Sequence, residues 1–182
     1  FVLLRHGHAV KRSDWTGQDV DRPLDAAGVD QAEVLVRALA AYGVTRLHSS
    51  AARRCSDTVR PYSLTAGVPL AAEPALTEAG FDEAPEAALE RAAELLADAA
   101  RSDEPTALCG HRPYLPALVD HLVGLCPASP TADPWDLPLP DTVPTASLIV
   151  LHVHADPGEA GAGERPQALA LGSRHHLVAA EL

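Results

Sequence analysis

Short apolar runs alternate with longer stretches of helical spacing along most of the chain. The first run, Phe1 to Leu4, is continuous and stops at Arg5-His6-Gly7, as a strand buried on both faces does where it opens into a loop. The polar segment from His8 to Leu24, with Gly17 and Pro23, reads as that loop. Asp25 is a helix cap, and Val29, Ala32, Leu35, Val36 and Leu39 recur at helical spacing ahead of Gly43. Val44 to His48 reads as a second strand. Ser49 or Ser50 is then placed to cap a helix through Arg53, Arg54 and Thr58 toward Gly67, with Pro61 expected to kink or restart it. Leu70 to Glu73 reads as a weak strand, and Pro74 to Pro85 as a loop holding Glu78, Asp82 and Glu83. An Ala-rich amphipathic helix is expected over Glu86 to Arg101, with Leu89, Ala93, Leu96 and Ala100 on one stripe. Thr106 to Cys109 is another apolar strand, ending at Gly110-His111, and a helix is expected from about Pro113 to Leu125.

Beyond that helix the pattern changes. Prolines recur at 127, 130, 134, 138, 140 and 144, which predicts an irregular surface excursion over about 126–145. Ala146 to Val153 is the clearest strand in the chain, and a Gly-rich turn, Pro157 to Gly163, leads to a last strand near Ala168 to Leu171, as in a hairpin or an antiparallel edge. No internal repeat is visible. Strands and helices in alternation predict an α/β fold, a three-layer α/β/α sandwich around a mostly parallel sheet, with one domain over residues 1–182. In such a fold the ligand crevice lies at the carboxyl ends of the strands, where both Arg5-His6 and Gly110-His111 fall.

Composition narrows the function classes. With 182 residues, 47% hydrophobic and 21% charged, the chain suits one globular domain with a buried core. Its 14 basic residues, of which Lys11 is the one lysine, face 25 acidic ones for a net charge of -11, which argues against a nucleic-acid or anionic-membrane partner. No apolar run approaches the roughly 20 residues that span a bilayer, and no leader-type segment opens the chain, so a cytoplasmic protein is expected. The three cysteines, Cys55, Cys109 and Cys126, lack paired spacing, which favours reduced thiols over a disulfide framework or a zinc ribbon. Phe1 in place of an initiating methionine points to further sequence upstream. The Ala-rich helix surfaces carry no readable oligomer interface.

Three elements stand in order along the chain: Leu4-Arg5-His6-Gly7 after the first strand, Ser49-Ser50 followed by Arg54 and Thr58, and Gly110-His111. Together they resemble the histidine phosphatase superfamily, whose phosphoglycerate mutase branch begins with this Arg-His-Gly tripeptide. Asp21-Arg22-Pro23-Leu24-Asp25 with Gly28 and Gln31-Ala32 further resembles its smaller members, the SixA-type phosphohistidine phosphatases and the C-terminal domain of two-domain Nudix hydrolases. The resemblance covers most of the chain. It implies a phosphoglycerate mutase-like fold and a metal-independent, cofactor-free phosphatase that works through a covalent phosphohistidine. Its substrate would be a small phosphate ester, a nucleotide or a phosphohistidine protein. Two alternatives remain: a mutase, although the Glu-Arg and Tyr-Gly segment of the longer mutases is missing here, and an accessory domain of a Nudix-type nucleotide hydrolase.

The residues make chemical sense in those roles. A neutral imidazole is a competent nucleophile near neutral pH and gives a labile P–N bond, which suits His6. Planar guanidinium groups grip phosphoryl oxygens in pairs, so Arg5 and Arg54 suit the phosphate pocket, with Gly7 beside them. Arg53 competes with Arg54, and the resemblance, an arginine followed four residues later by Thr58, favours Arg54. His111 is expected to donate to a phosphate oxygen as the cation, with Gly110 letting the backbone approach closely. A carboxyl group with a raised pKa can protonate the leaving group and later activate water. The resemblance assigns this to Glu78, with Asp82 and Glu83 as competitors. His8, Lys11 and Arg12 would add positive potential at the mouth, and Arg22 would order the loop. No metal is expected: His152 and His154 alternate on a strand and His175-His176 lie in a polar tail, without matching carboxylates or cysteines. Trp15 and Trp135 read as loop residues in local packing.

Overall fold

Along the first strand, β1 (Val2–Arg5), side chains alternate between two helix layers: Val2 and Leu4 enter one buried cluster and Leu3 enters the other. The structure, a computed structural model, describes residues 1–126, 143–155 and 169–178, with side chains to 126 and from 143 to 153. Trp135, the turn Pro157 to Gly163 and most of the proline-rich segment lie outside the described residues. The remaining strands are β2 (Arg46–Ser50), β3 (Leu70–Glu73), β4 (Thr106–Gly110), β5 (Ser147–Ala155) and β6 (Leu169–Val178). They form one sheet in the order β3-β2-β4-β1-β5-β6. The first four run parallel, and β5 and β6 are antiparallel to their neighbours.

Helices α1 (Ala26–Ala41) and α2 (Arg53–Ala66) cover one face of the sheet, and α4 (Pro85–Ser102) and α5 (Leu115–Gly124) the other. Leu35, Leu39, Val59 and Tyr62 pack on Leu4, Leu47, Leu148 and Val150. Leu95, Leu96, Leu118 and Leu122 pack on Leu3, Leu108, Ile149 and Leu151. This is the expected three-layer sandwich. Each such fully buried leucine contributes about 1.5–3 kcal/mol relative to exposure, so the continuous apolar strands are what hold the site's scaffold rigid. Among the described residues no helix is long and apolar enough to cross a membrane. Cys55, Cys109 and Cys126 are buried and unbridged.

Several local expectations change in the fold. Asp25 caps α1 through Gly28 N–H at 3.0 Å as anticipated, but Val29 lies on the exposed side, because the buried stripe runs through Ala32, Leu35, Ala38 and Leu39. Ala52, without a side-chain cap, precedes α2, while Ser50 Oγ accepts Ala52 N–H at 3.2 Å from outside the helix. Pro61 sits inside α2, which runs on to Ala66 as one helix. The α4 stripe is shifted by one position: Ala88, Ala92, Leu95, Leu96 and Ala99 are buried, with Leu89, Ala93 and Ala100 on its flank. Residues 74–85 form helical turns, a 3-10 turn at Pro74–Leu76 and helix α3 (Glu78–Glu83), because Thr77 caps Gly80 N–H at 3.0 Å. His175 and His176 belong to β6, opposite Val150 and Ile149, so pairing with the long β5 extends this strand through the expected tail. His152 is exposed on β5.

Candidate active site

β1 and β4 are neighbours, and their register sets Arg5 opposite Gly110. The next residue of each chain segment is therefore a histidine at the same end of the sheet. The two imidazoles of His6 and His111 lie 5.3 Å apart between centroids, 68° from coplanar. His6 Nδ1 lies 2.7 Å from the Gly7 carbonyl, which can only accept, so Nδ1 carries the proton and Nε2 presents a lone pair. Burial, followed by the charge of His111, lowers the His6 pKa to about 3, so the ring is neutral at physiological pH.

His111 is fully buried, with Nε2 2.8 Å from Ser50 Oγ and Nδ1 3.2 Å from both Arg54 Nη2 and Glu78 Oε1. Burial opposes its charge, yet the Cys55 thiol at 3.4 Å and the Glu78 carboxylate outweigh that and raise its pKa. Arg54 is 1% exposed and is the one of the two whose guanidinium reaches His111, whereas Arg53 is exposed and pairs with Asp57. Thr58 donates to the Arg54 carbonyl at 2.7 Å and accepts Gly7 N–H at 2.9 Å, tying α2 to the loop after β1. Of the three acidic candidates only Glu78 reaches the site, where its Oε1 accepts from Arg54 Nη2 at 2.9 Å, while Asp82 and Glu83 are exposed on α3. The raised pKa expected of a proton donor is not what its surroundings produce. The hydrogen bond from His111, with Arg54 adding to it, lowers the Glu78 pKa to about 2 against the effect of burial.

Two glycines serve packing. A Cβ on Gly110 would meet Tyr114 Oη at 2.8 Å, so the space expected to admit a phosphate is filled by that phenol, which donates to the Leu76 carbonyl. A Cβ on Gly28 would fall 1.9 Å from the His8 carbonyl oxygen, and one on Gly7 3.0 Å from the Gly28 carbonyl, so these glycines let α1 abut the loop. Gly7 N–H is already given to Thr58. Arg5 donates Nη1 to the Val143 carbonyl, while its Nε and that of Arg54 are buried without a hydrogen-bond partner.

Sequence reasoning missed three groups here. Asp19, on a 3-10 turn of the 8–24 loop, accepts from Arg54 at 3.1 Å, from Arg22 at 2.9 Å and from Arg12 at 3.2 Å. No local pattern marks it, because its partners come from distant segments. Gln31 accepts His8 N–H at 2.8 Å and donates to Thr145 at 3.1 Å, and Ser50 Oγ lies 2.8 Å from His111 Nε2; both fall inside the motifs, Gln31 without a role and Ser50 only as a candidate helix cap. Arg22 orders the loop as expected, donating to Asp19 and to the Val10 carbonyl at 2.7 Å. Trp15 packs locally over Gly17 and donates to the Gln18 carbonyl at 2.9 Å.

Ligand atoms of His6, Glu78 and His111 lie within 4.8 Å of one another, close enough to share a metal ion. Arg54 Nη2 is within hydrogen-bond distance of two of the three, however, so a dication would sit against a guanidinium. The cluster suits an anion better. A cavity of about 450 Å³ opens above it, lined among others by Arg5, His6, Arg12, Arg22, Glu78 and Arg112.

Two histidines thus follow the ends of β1 and β4, with Arg5 closing β1 and Arg54 reaching in from α2, a set of groups whose chemistry suits an oxyanion. Residues 1–84 match the model of the histidine phosphatase superfamily, branch 1. Over 119 residues it is 35% identical to an 8-oxo-(d)GTP phosphatase of Mycolicibacterium smegmatis; the match spans 65% of this chain and 36% of that relative's length. Its fold is similar to that of the protein histidine phosphatase SixA complexed with tungstate (TM-score 0.61, 20% identity, 95% of this chain and 94% of that one). It is likewise similar to a mycobacterial glucosyl-3-phosphoglycerate phosphatase complexed with VO3 (TM-score 0.60, 19% identity, 93% and 94%).

Proposed function

We propose that the chain is a metal-independent phosphatase that passes a phosphoryl group through a covalent phosphohistidine on His6. The observation that carries this reading is a neutral His6, its Nε2 lone pair free, 5.3 Å from the His111 ring, beside two arginines with unpartnered buried donors. Arg5 and Arg54 hold the nonbridging oxygens, and His111 donates to one of them. Nε2 attacks phosphorus as the P–O bond to the leaving group breaks, and water then cleaves the P–N bond to release inorganic phosphate.

The Glu78 carboxylate takes the hydrogen bonds of Arg54 and His111 that an incoming phosphoryl group would use. When that group claims these donors, the contacts that depress the Glu78 pKa are lost and a doubly negative neighbour replaces them. Both changes raise the pKa, so substrate binding itself readies Glu78 to protonate the leaving alkoxide. Names of relatives point to three kinds of substrate: small phosphate esters, nucleotides and phosphohistidine proteins.

The test is hydrolysis of an aryl phosphate. Activity is expected to survive chelators, to be blocked by vanadate and to fall by about 10⁴-fold or more in His6→Ala. A requirement for added divalent metal would overturn the proposal.

A further inference from the structure

The cavity above His6 is larger than one phosphoryl group needs. Its volume is about 450 Å³, where one water-sized group needs about 10–15 Å³ on the same measure. Among the described residues its wall is rich in cations and carries no phenyl, phenol or indole ring: four arginines and two histidines face Glu78, the one carboxylate of that lining. Three of the four arginines are engaged. Arg5 bonds the Val143 carbonyl, Arg12 pairs with Asp19 and Glu78, and Arg22 pairs with Asp19 and the Val10 carbonyl.

Arg112 is different. It is exposed, it follows His111 directly, and among the described residues no side-chain hydrogen bond or ion pair engages its guanidinium. It is also close to Arg5: burial, and then the charge of Arg112, lower the Arg5 pKa. Two cations facing one cavity repel each other unless an anion lies between them, so the arrangement favours a ligand with negative charge beyond the reacting phosphoryl group. Among the described residues an aromatic base or an apolar tail would find only Ala9 and Pro113 as apolar wall.

We propose that Arg112 binds a second phosphoryl group of the substrate, so that the substrates are phosphoanhydrides or bisphosphate esters. The inference rests on the phosphatase reading above. In an anhydride, His6 Nε2 bonds the terminal phosphorus, the bridging P–O bond breaks, and the remaining monophosphate leaves with the electron pair. Water then cleaves P–N, giving the monophosphate and inorganic phosphate in total. In a bisphosphate ester the same steps release a hydroxyl that takes its proton from Glu78.

Two matched pairs test the idea: ADP against AMP for the anhydride, and a hexose 1,6-bisphosphate against the 6-phosphate for the ester. In wild type, kcat/KM should favour the doubly phosphorylated member of at least one pair by about tenfold or more, mainly through KM. Arg112→Ala should bring that ratio close to one, and Arg112→Lys should recover part of it. Calorimetry on the His6→Ala protein reads the same subsite without turnover: inorganic pyrophosphate should bind more tightly than inorganic phosphate, and adding Arg112→Ala should remove the difference. A ratio near one in wild type, or one that survives Arg112→Ala, overturns the subsite while leaving the phosphatase reading intact. Absence of turnover on every substrate, aryl phosphate included, removes both.

Discussion

Asp19 and Glu78 share two arginines, one buried and one exposed. Arg54, with its side chain 1% exposed, lies 3.1 Å from Asp19 and 2.9 Å from Glu78. Arg12, 70% exposed, lies 3.2 and 3.5 Å from the same carboxylates. Similar distances, with the same partners, therefore join groups in different dielectric surroundings. Water screens the outer pairs, and such pairs contribute about 0–1 kcal/mol, whereas losing a buried partner leaves charge uncompensated. The inner arginine is thus fixed before substrate arrives, and the outer one is free to adjust.

Substitution of each arginine breaks the comparison most directly. Arg54→Ala should lower kcat/KM for an aryl phosphate by about 10²–10³-fold and reduce urea stability by about 2 kcal/mol, the half-exposed carboxylates softening the penalty. Arg12→Ala should change stability by less than about 0.5 kcal/mol. Equal losses from the two would end the distinction.

Glu78→Gln sharpens it from the carboxylate side. An alkyl phosphate, whose leaving group needs a proton, should lose about 10²-fold in kcat, and an aryl phosphate distinctly less. Equal loss on both would argue that Glu78 only holds Arg54.

A second buried cluster offers a control. Glu73, 7% exposed at the end of β3, accepts from His48 at 2.8 Å and from Arg91 of α4 through two 2.9 Å bonds, a set that includes neither His6 nor His111. Arg91→Ala should lower stability by about 1–3 kcal/mol with kcat/KM unchanged, measured by denaturation and steady-state kinetics. A matching fall in activity would mean that the two clusters communicate.

The smallest effect expected is the absence of one. Because its folded pKa is about 3, His6 should keep the nitrogen NMR shifts of the neutral Nδ1–H tautomer from about pH 7 to about pH 5. The unfolded chain, with an ordinary imidazole pKa near 6.5, takes up the proton first. The contribution of His6 to stability is therefore complete above about pH 6.5 and is lost progressively as the pH falls toward 3. A midpoint near 6 in the folded protein would refute the buried, neutral ring.

Much of the scaffold was legible in the residues themselves, because strand and helix patterns are local. The apolar run before Arg5, the Asp25 cap and the Ala-rich segment each announce an element within a few positions, and the sheet they build matches the expected sandwich. Ranges failed where a contact from elsewhere decided them. Thr77 and the packing of Leu76 turned an acidic loop into helical turns, and β5 drew the chain past Leu171 into a ten-residue strand.

The sequence by itself determined that two histidines end two apolar strands and that arginines and carboxylates stand ready on the connecting segments. Only the tertiary structure decided which of them meet. The register of β1 against β4 brings the imidazoles together, the turn of α2 sends Arg54 inward and Arg53 outward, and Tyr114 takes the space beside Gly110. Asp19 joins the site across the whole 8–24 loop. Spacing along a chain encodes which face a residue occupies, but the meeting of side chains from distant segments depends on how those faces pack, and packing is a property of the folded whole.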